Sequence, residues 1–204
     1  MKKKFIIFDL DGVLINSIHN MKYAWINSCK KNNLKISFYK YKKFIGLPFI
    51  EILKKLNIKK ELHSSVNKEY NFYSKKMIHK LKIKRKVILF LKKLKKGKCI
   101  ALFTSKNLNR TNLILGNNKH LFKYILCPRK DFRGKPFPDG INYLIKKSKF
   151  KKKEAILLGD SIYDFKAAKK ANIDYLHAEW GYQKIKINKN FILKKIEDMK
   201  YFID

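Results

Sequence analysis

Five short apolar runs, at residues 5–8, 99–103, 124–127, 155–158 and 174–177, constrain this chain more than any other feature. Most positions in each are hydrophobic without a break, and each ends on a polar or turn residue. A strand with one wet face alternates, so unbroken runs predict strands buried on both faces of a parallel sheet. Between them lie helix-like segments: 87–96 stopped by Gly97, 109–115 stopped by Gly116, 140–147 and 162–171. Strand and helix in alternation predict an α/β fold whose core is a Rossmann-like, doubly wound parallel sheet. At 204 residues the chain has room for one such core plus an insertion, taking about 150 residues per domain.

The alternation breaks once. Residues 17–84 show helical periodicity with polar breaks and no convincing strand. Pro48 fits the first turn of a helix in which Phe49, Ile52, Leu53 and Leu56 share a face. An insertion placed after the first strand sits above the carboxyl ends of the strands, where α/β proteins bind ligands. It is predicted to be an inserted helical cap domain, a lid over a core made of residues 1–16 and 85–204. The last stretch, 191–203, carries Leu193, Ile196, Met199 and Ile203 at helical spacing and is expected to pack on that core.

The first run leads straight into Asp9-Leu10-Asp11-Gly12. In extended backbone residues i and i+2 point the same way, so Asp9 and Asp11 face a common mouth, with Gly12 free to turn the chain. Taken alone, the quartet is also what a surface turn looks like. The fourth run, however, ends in Gly159-Asp160-Ser161-Ile162-Tyr163-Asp164 and delivers acids to the same sheet edge. Asp160 and Asp164 share a face if a helix begins there, although Asp160 or Ser161 could equally be its N-cap. Carboxylates from separate strand ends form the site a hard cation such as Mg2+ favours, and three close acids without one would repel.

The second run ends in Thr104-Ser105-Lys106, where a hydroxyl and free backbone N–H groups at a strand-to-helix turn can hold phosphate oxygens. Lys135, in Gly134-Lys135-Pro136-Phe137-Pro138, differs from the other lysines by the two prolines that stiffen its loop.

Composition bears on partners and compartment. Fifty Lys and Arg against 15 Asp and Glu give a formal net charge of +35. Only Arg85, Arg110, Arg129 and Arg133 are arginine, and the lysines are spread along the chain. Nucleic-acid surfaces favour the guanidinium fork, so no specific nucleic-acid partner is expected, only salt-sensitive adhesion. Cys29, Cys99 and Cys127 lack disulfide or zinc spacing, which fits a reducing, cytoplasmic setting. The Lys-rich start and apolar 5–8 imitate a signal peptide, but Asp9 and Asp11 cut the run short, and no stretch reaches the ~18 apolar residues of a membrane span.

In order, Asp9-Leu10-Asp11-Gly12, Thr104, Lys135 in Lys-Pro-Phe-Pro, and Gly159-Asp160 with Asp164 resemble the four motifs of the haloacid dehalogenase-like hydrolase superfamily. Asn16-Ser17, Phe44-Ile45-Gly46-Leu47-Pro48 and Trp180-Gly181-Tyr182 resemble its phosphoglycolate-phosphatase-like branch. The resemblance implies a Mg2+-dependent phosphatase of small phosphorylated metabolites. Asp9 would be the nucleophile, forming an aspartyl-phosphate, and Asp11 the general acid and base. Mg2+ would be held by Asp9, Asp160 and the backbone carbonyl of Asp11, with Asp164 as a ligand or as support behind the ligands. Thr104, Ser105 and Lys135 would hold the phosphoryl oxygens.

The chain departs from the family pattern at Asn16, where many relatives carry Asp. Two other readings stand beside the phosphatase. Ala24-Trp25 and Ser105-Lys106-Asn107 resemble the related phosphosugar mutases, yet the cap histidine of those enzymes would fall at Met21, with His19 out of register. A basic nucleic-acid-binding protein on an inactive hydrolase core has no evident need for Asp9, Asp11, Lys135 and Asp160 together. Substrate choice is assigned to Lys42, Lys43 and Gly46, with Tyr41 also near a second anionic group of a phosphorylated acid or a sugar phosphate.

Overall fold

The computed structural model describes residues 2–203. Strand β1 (Phe5–Phe8) is followed by helices α1 (Ile18–Lys31), α2 (Phe38–Lys42), α3 (Phe49–Lys55) and α4 (His63–Lys76). The chain then alternates through α5 (Arg85–Lys95), β2 (Cys99–Phe103), α6 (Leu108–Leu115), β3 (Tyr124–Leu126), α7 (Asp139–Ser148), β4 (Ala155–Gly159), α8 (Ile162–Ala171) and β5 (Asp174–Ala178). It closes on a short strand β6 (Ile192–Leu193) and a final turn of helix α9 (Lys200–Ile203).

The six strands form one sheet in the order β3-β2-β1-β4-β5-β6, every pair parallel, which is the doubly wound Rossmann-like arrangement. Successive strand residues project to opposite faces. Ile6, Phe8, Leu102 and Leu158 therefore pack with Val87 and Leu91 of α5 on one face. Phe5, Ile7, Phe103 and Leu157 pack with Ile141 of α7 and Ala167 of α8 on the other. Both faces are covered, and this is why the runs read as continuously apolar.

Helices α1 to α4 enclose a third core of their own, built around Trp25, Tyr41, Leu53, Val66 and Tyr70. Asn20 and Ser74 tie α1 to α4 by a buried reciprocal pair of hydrogen bonds at 2.8 and 2.7 Å. Pro48 stands at the N-cap of α3, one place outside the expected first turn, and Ile52 and Leu53 are buried as the spacing predicts. Leu81 and Ile83 already pack in the sheet's core, a few residues before the expected boundary at 85.

The C-terminal stretch departs from its helical spacing. Ile192 and Leu193 pair in parallel with His177 and Ala178, residues 196–199 form a 3₁₀ turn, and only Lys200–Ile203 is α-helical. The open edge of β5 offers unpaired backbone groups, and satisfying them outweighs local periodicity. Leu193, Ile196, Met199 and Ile203 are all buried, so the packing expectation holds. Among the described residues no helix is long and apolar enough to cross a membrane.

Candidate active site

Register sets the site. Phe8 pairs with Leu102 on one side and Leu158 on the other, so Asp9 leaves the sheet level with Phe103 and Gly159. Thr104 and Asp160 follow one residue later at the same edge. Ser161 takes the N-cap of α8, its hydroxyl accepting from the Asp164 N–H at 3.2 Å while Asp164 Oδ2 accepts from the Ser161 N–H at 3.2 Å. Asp160 is thereby released from capping. Asp9, Asp160 and Asp164 are all buried, and each offers an oxygen within 4.8 Å of the others.

Lys135 enters this cluster from the α7 side, with Nζ 2.8 Å from Asp9 Oδ1 and 2.6 Å from Asp164 Oδ1. Burial pulls its ammonium pKa down, but Asp164 and Asp9 outweigh burial and lift it above the ordinary lysine value. Three buried carboxylates face one ammonium, which leaves two negative charges uncompensated. Burial raises Asp9 from 3.8 to about 7, opposed by Lys135, and burial with the neighbouring Asp9 and Asp164 raises Asp160 well above the usual carboxylate range. A site that pushes protons onto its carboxylates in this way has the charge deficit and the hard oxygen donors a divalent cation fills.

Two glycines hold Asp160 in place. Gly12 has φ +83°, and a β-carbon there would lie 2.0 Å from Asp160 Oδ2; one on Gly181 would lie 2.1 Å from Asp160 Cβ. The Tyr182 N–H donates to Asp160 Oδ2 at 2.7 Å.

Asp11 stands apart from the buried trio. Its carboxylate accepts from the Ser17 hydroxyl and pairs with Lys106 Nζ at 3.1 Å. Lys106 is buried, and burial, then the charge of Arg110, lowers it to about 8. Thr104 is buried, and its Oγ1 accepts from the Lys106 N–H at 3.2 Å.

A cavity of about 50 Å³ opens beside these groups, with Asp9, Asp11, Thr104 and Asp160 at its floor and Met21, Tyr41 and Gly46 from the inserted helices in its wall. Ser105 lines it too, but its hydroxyl donates to the Gly46 carbonyl at 2.7 Å. Lys42 and Lys43 are exposed and outside this lining, with Lys43 Nζ lying over the Tyr39 ring at 4.8 Å; the side chain before them, Tyr41, is the one turned inward. Helix α2 puts neighbours on different faces, which a run of two lysines conceals. His19 is exposed, while His177 is buried between Tyr175 and the Gln183 carbonyl, a packing role.

Lys106 and Arg110 are cavity residues that the motif reading passed over. Their four-residue spacing after Thr104 was the available signal, hidden among many lysines. Asn107 fixes the turn between them, its side chain accepting from the Arg110 N–H at 2.9 Å to cap α6.

Comparison with known proteins agrees with this geometry. A curated protein from Caldanaerobacter subterraneus subsp. tengcongensis, bearing a provisional pyrophosphatase name, PpaX, is 27% identical over 209 residues, 100% of this chain and 91% of its own. The crystal structure of a predicted phosphatase from Clostridium acetobutylicum matches with a TM-score of 0.84 and 25% identity, covering 100% of this chain and 99% of that one. A hydrolase of the haloacid dehalogenase-like family from Streptococcus pneumoniae matches with a TM-score of 0.83 and 23% identity over 98% of each chain. The family model described as haloacid dehalogenase-like hydrolase matches residues 6–178. A match running from the first strand through the end of β5 is no chance likeness of one motif: the chain belongs to the haloacid dehalogenase-like hydrolase family.

Proposed function

We infer that the protein is a Mg2+-dependent phosphomonoester hydrolase acting on small phosphorylated metabolites through an aspartyl-phosphate on Asp9. The observation that carries this reading is the convergence of Asp9, Asp160 and Asp164 on one buried point with the Lys135 ammonium set between Asp9 and Asp164. Phosphatase names among the relatives support the same class.

An Asp9 oxygen attacks phosphorus, forming the acyl phosphate bond as the ester P–O bond breaks, and Asp11 gives its proton to the departing oxygen. Asp11 then takes a proton from water, whose oxygen attacks phosphorus and frees Asp9 and inorganic phosphate. Lys135 neutralises charge on the phosphoryl oxygens, and the Thr104 hydroxyl with the Ser105 N–H holds them. Asp9, Asp160 and the Asp11 carbonyl are the groups to hold Mg2+, with Asp164 fixing Lys135 behind them. The bound ion cancels repulsion between Asp9 and an anionic phosphate. Residues 17–84 act as a cap that closes on the core of 1–16 and 85–204, and the three free cysteines fit a cytoplasmic setting.

A phosphosugar mutase needs a further proton carrier for the sugar hydroxyl. Met21, which the resemblance to the mutases puts at that carrier's position, lines the cavity and has no proton to carry, which favours hydrolysis. The test is release of inorganic phosphate from an aryl phosphate with Mg2+ and its suppression by EDTA. Asp9→Asn is expected to lower turnover by at least ~10⁴-fold; an intact variant at full activity removes the proposed nucleophile.

A further inference from the structure

Of the arginines, two exposed ones show what this side chain does here when an oxyanion is at hand. Arg129 lays its Nε and Nη2 edge on Asp131 at 2.8 and 2.7 Å, and Arg133 lays the same edge on Asp139 at 3.2 and 3.2 Å. Arg110 is 9% exposed and lines the cavity that holds Asp9, yet its Nε and Nη2 have no partner among the described residues.

Tyr70 accounts for only part of it: its side chain is a hydrogen-bond partner of Arg110, but Nε and Nη2 stay without one. The guanidinium lies 5.3 Å over the Tyr70 ring, and Tyr70 in turn receives the Tyr41 hydroxyl at 3.0 Å, so one wall is aromatic. Stacking on a ring balances part of a buried cation's desolvation and none of its two idle donors. The nearby acid, Asp11, is already matched by Lys106 at 3.1 Å. A buried, fixed fork with its bidentate edge empty is the arrangement that meets a planar carboxylate or a phosphate. Asn107 and Thr111 hold the helix start that carries it: the Thr111 hydroxyl donates to the Asn107 carbonyl at 2.9 Å.

We propose that Arg110 recognises a second oxyanion on the leaving group, so that the site takes small phosphate esters or anhydrides carrying a carboxylate or a further phosphate close to the phosphoryl transferred. The cavity's size agrees: at about 50 Å³ it holds only a few water-sized groups, taking ~10–15 Å³ for each. Arg110 and Asp9 line this same small cavity, which places the second charge on the same small molecule as the phosphorus. This proposal rests on the phosphatase reading of the site and assigns its selectivity.

The experiment compares kcat/KM for 2-phosphoglycolate, inorganic pyrophosphate and ethyl phosphate, the last matching the first in length without its carboxylate. Wild-type protein is expected to prefer a two-anion substrate over ethyl phosphate, and the better of the two identifies carboxylate or phosphate as the second group. In Arg110→Met that preference is expected to shrink roughly 10- to 100-fold, the loss for removing hydrogen bonds to a charged group, with Arg110→Lys in between. Because the readout is a ratio within each protein, a general loss of activity cancels. Calorimetric binding of 2-phosphoglycolate and ethyl phosphate to Asp9→Asn protein gives the same comparison without turnover and without altering Arg110. No preference in the wild type, or a preference that survives intact in folded Arg110→Met, overturns the proposal and leaves the phosphatase standing. Failure of the wild type on all three while it still releases phosphate from an aryl phosphate likewise overturns the proposal, whereas failure on the aryl phosphate as well removes the phosphatase reading instead.

Discussion

Asp9 is raised to about 7 because it is buried, and a cation competes with the proton that burial favours. Without metal, the folded state holds that proton between about 4 and about 7, whereas the unfolded chain has released it. The unfolded state then binds fewer protons, so this group's contribution to stability falls as pH rises through that interval. Saturating Mg2+ is expected to raise the melting temperature more at pH 8 than at pH 6, each against an EDTA control; an equal shift at both values contradicts the linkage. The sequence displayed the acids themselves, because two separate apolar runs each deliver carboxylates to the same sheet edge. It could not display which partner each acid has. Lys106 on Asp11 and Ser17 behind Asp11 depend on how a turn and the first residue after it fold back, information that no spacing carries. Lys42 and Lys43 show the converse: a charge pair next to the right loop that faces water.

At the scale of elements, β1 and its neighbours were legible because burial on both faces leaves no polar position to blur the pattern. β6 was not, since two residues are too few for any periodicity and its pairing partner lies on β5. The turn after β1 is equally local in sequence and non-local in consequence. Gly12 combines φ +83° with a missing side chain pressed against Asp160 Oδ2. Gly12→Ala is expected to weaken Mg2+ binding at least ~10-fold by moving that carboxylate, and to cost on the order of 1–2 kcal/mol for the left-handed backbone. Calorimetric titration and a thermal melt check the two effects; wild-type Mg2+ affinity in the variant would show that the contact does not position Asp160.

Across the whole molecule, the loop between α2 and α3 is fastened to the core at several points, three of which lie at residues 45–48. The Ser105 hydroxyl donates to the Gly46 carbonyl at 2.7 Å, the Gln183 amide donates to the Ile45 carbonyl at 2.8 Å, and Gly134 lies so close to Pro48 that a β-carbon would sit 2.5 Å from its ring. A phosphate mimic with Mg2+ is expected to protect the 37–43 segment from limited proteolysis by holding these contacts closed; cutting at an unchanged rate counts against closure. The charge of +35 is a property at this scale too. Lysines 80, 82, 84, 86, 194 and 195 gather around one groove that has no guanidinium in its lining, so any attraction of polyanions there is expected to be salt-sensitive and without sequence reading.

Two of those fastenings grip backbone carbonyls, groups that every amino acid supplies alike. The grip at 45 is thus indifferent to the side chain there, whereas at 46 it requires glycine: φ is +109° and a β-carbon would lie 2.7 Å from Ser161 Oγ. Neighbours such as Leu47 and Phe49 line the cavity without taking part in either bond. Substitutions at 47 and 49 can therefore reshape the cavity wall while leaving both bonds to the carbonyls of 45 and 46 in place.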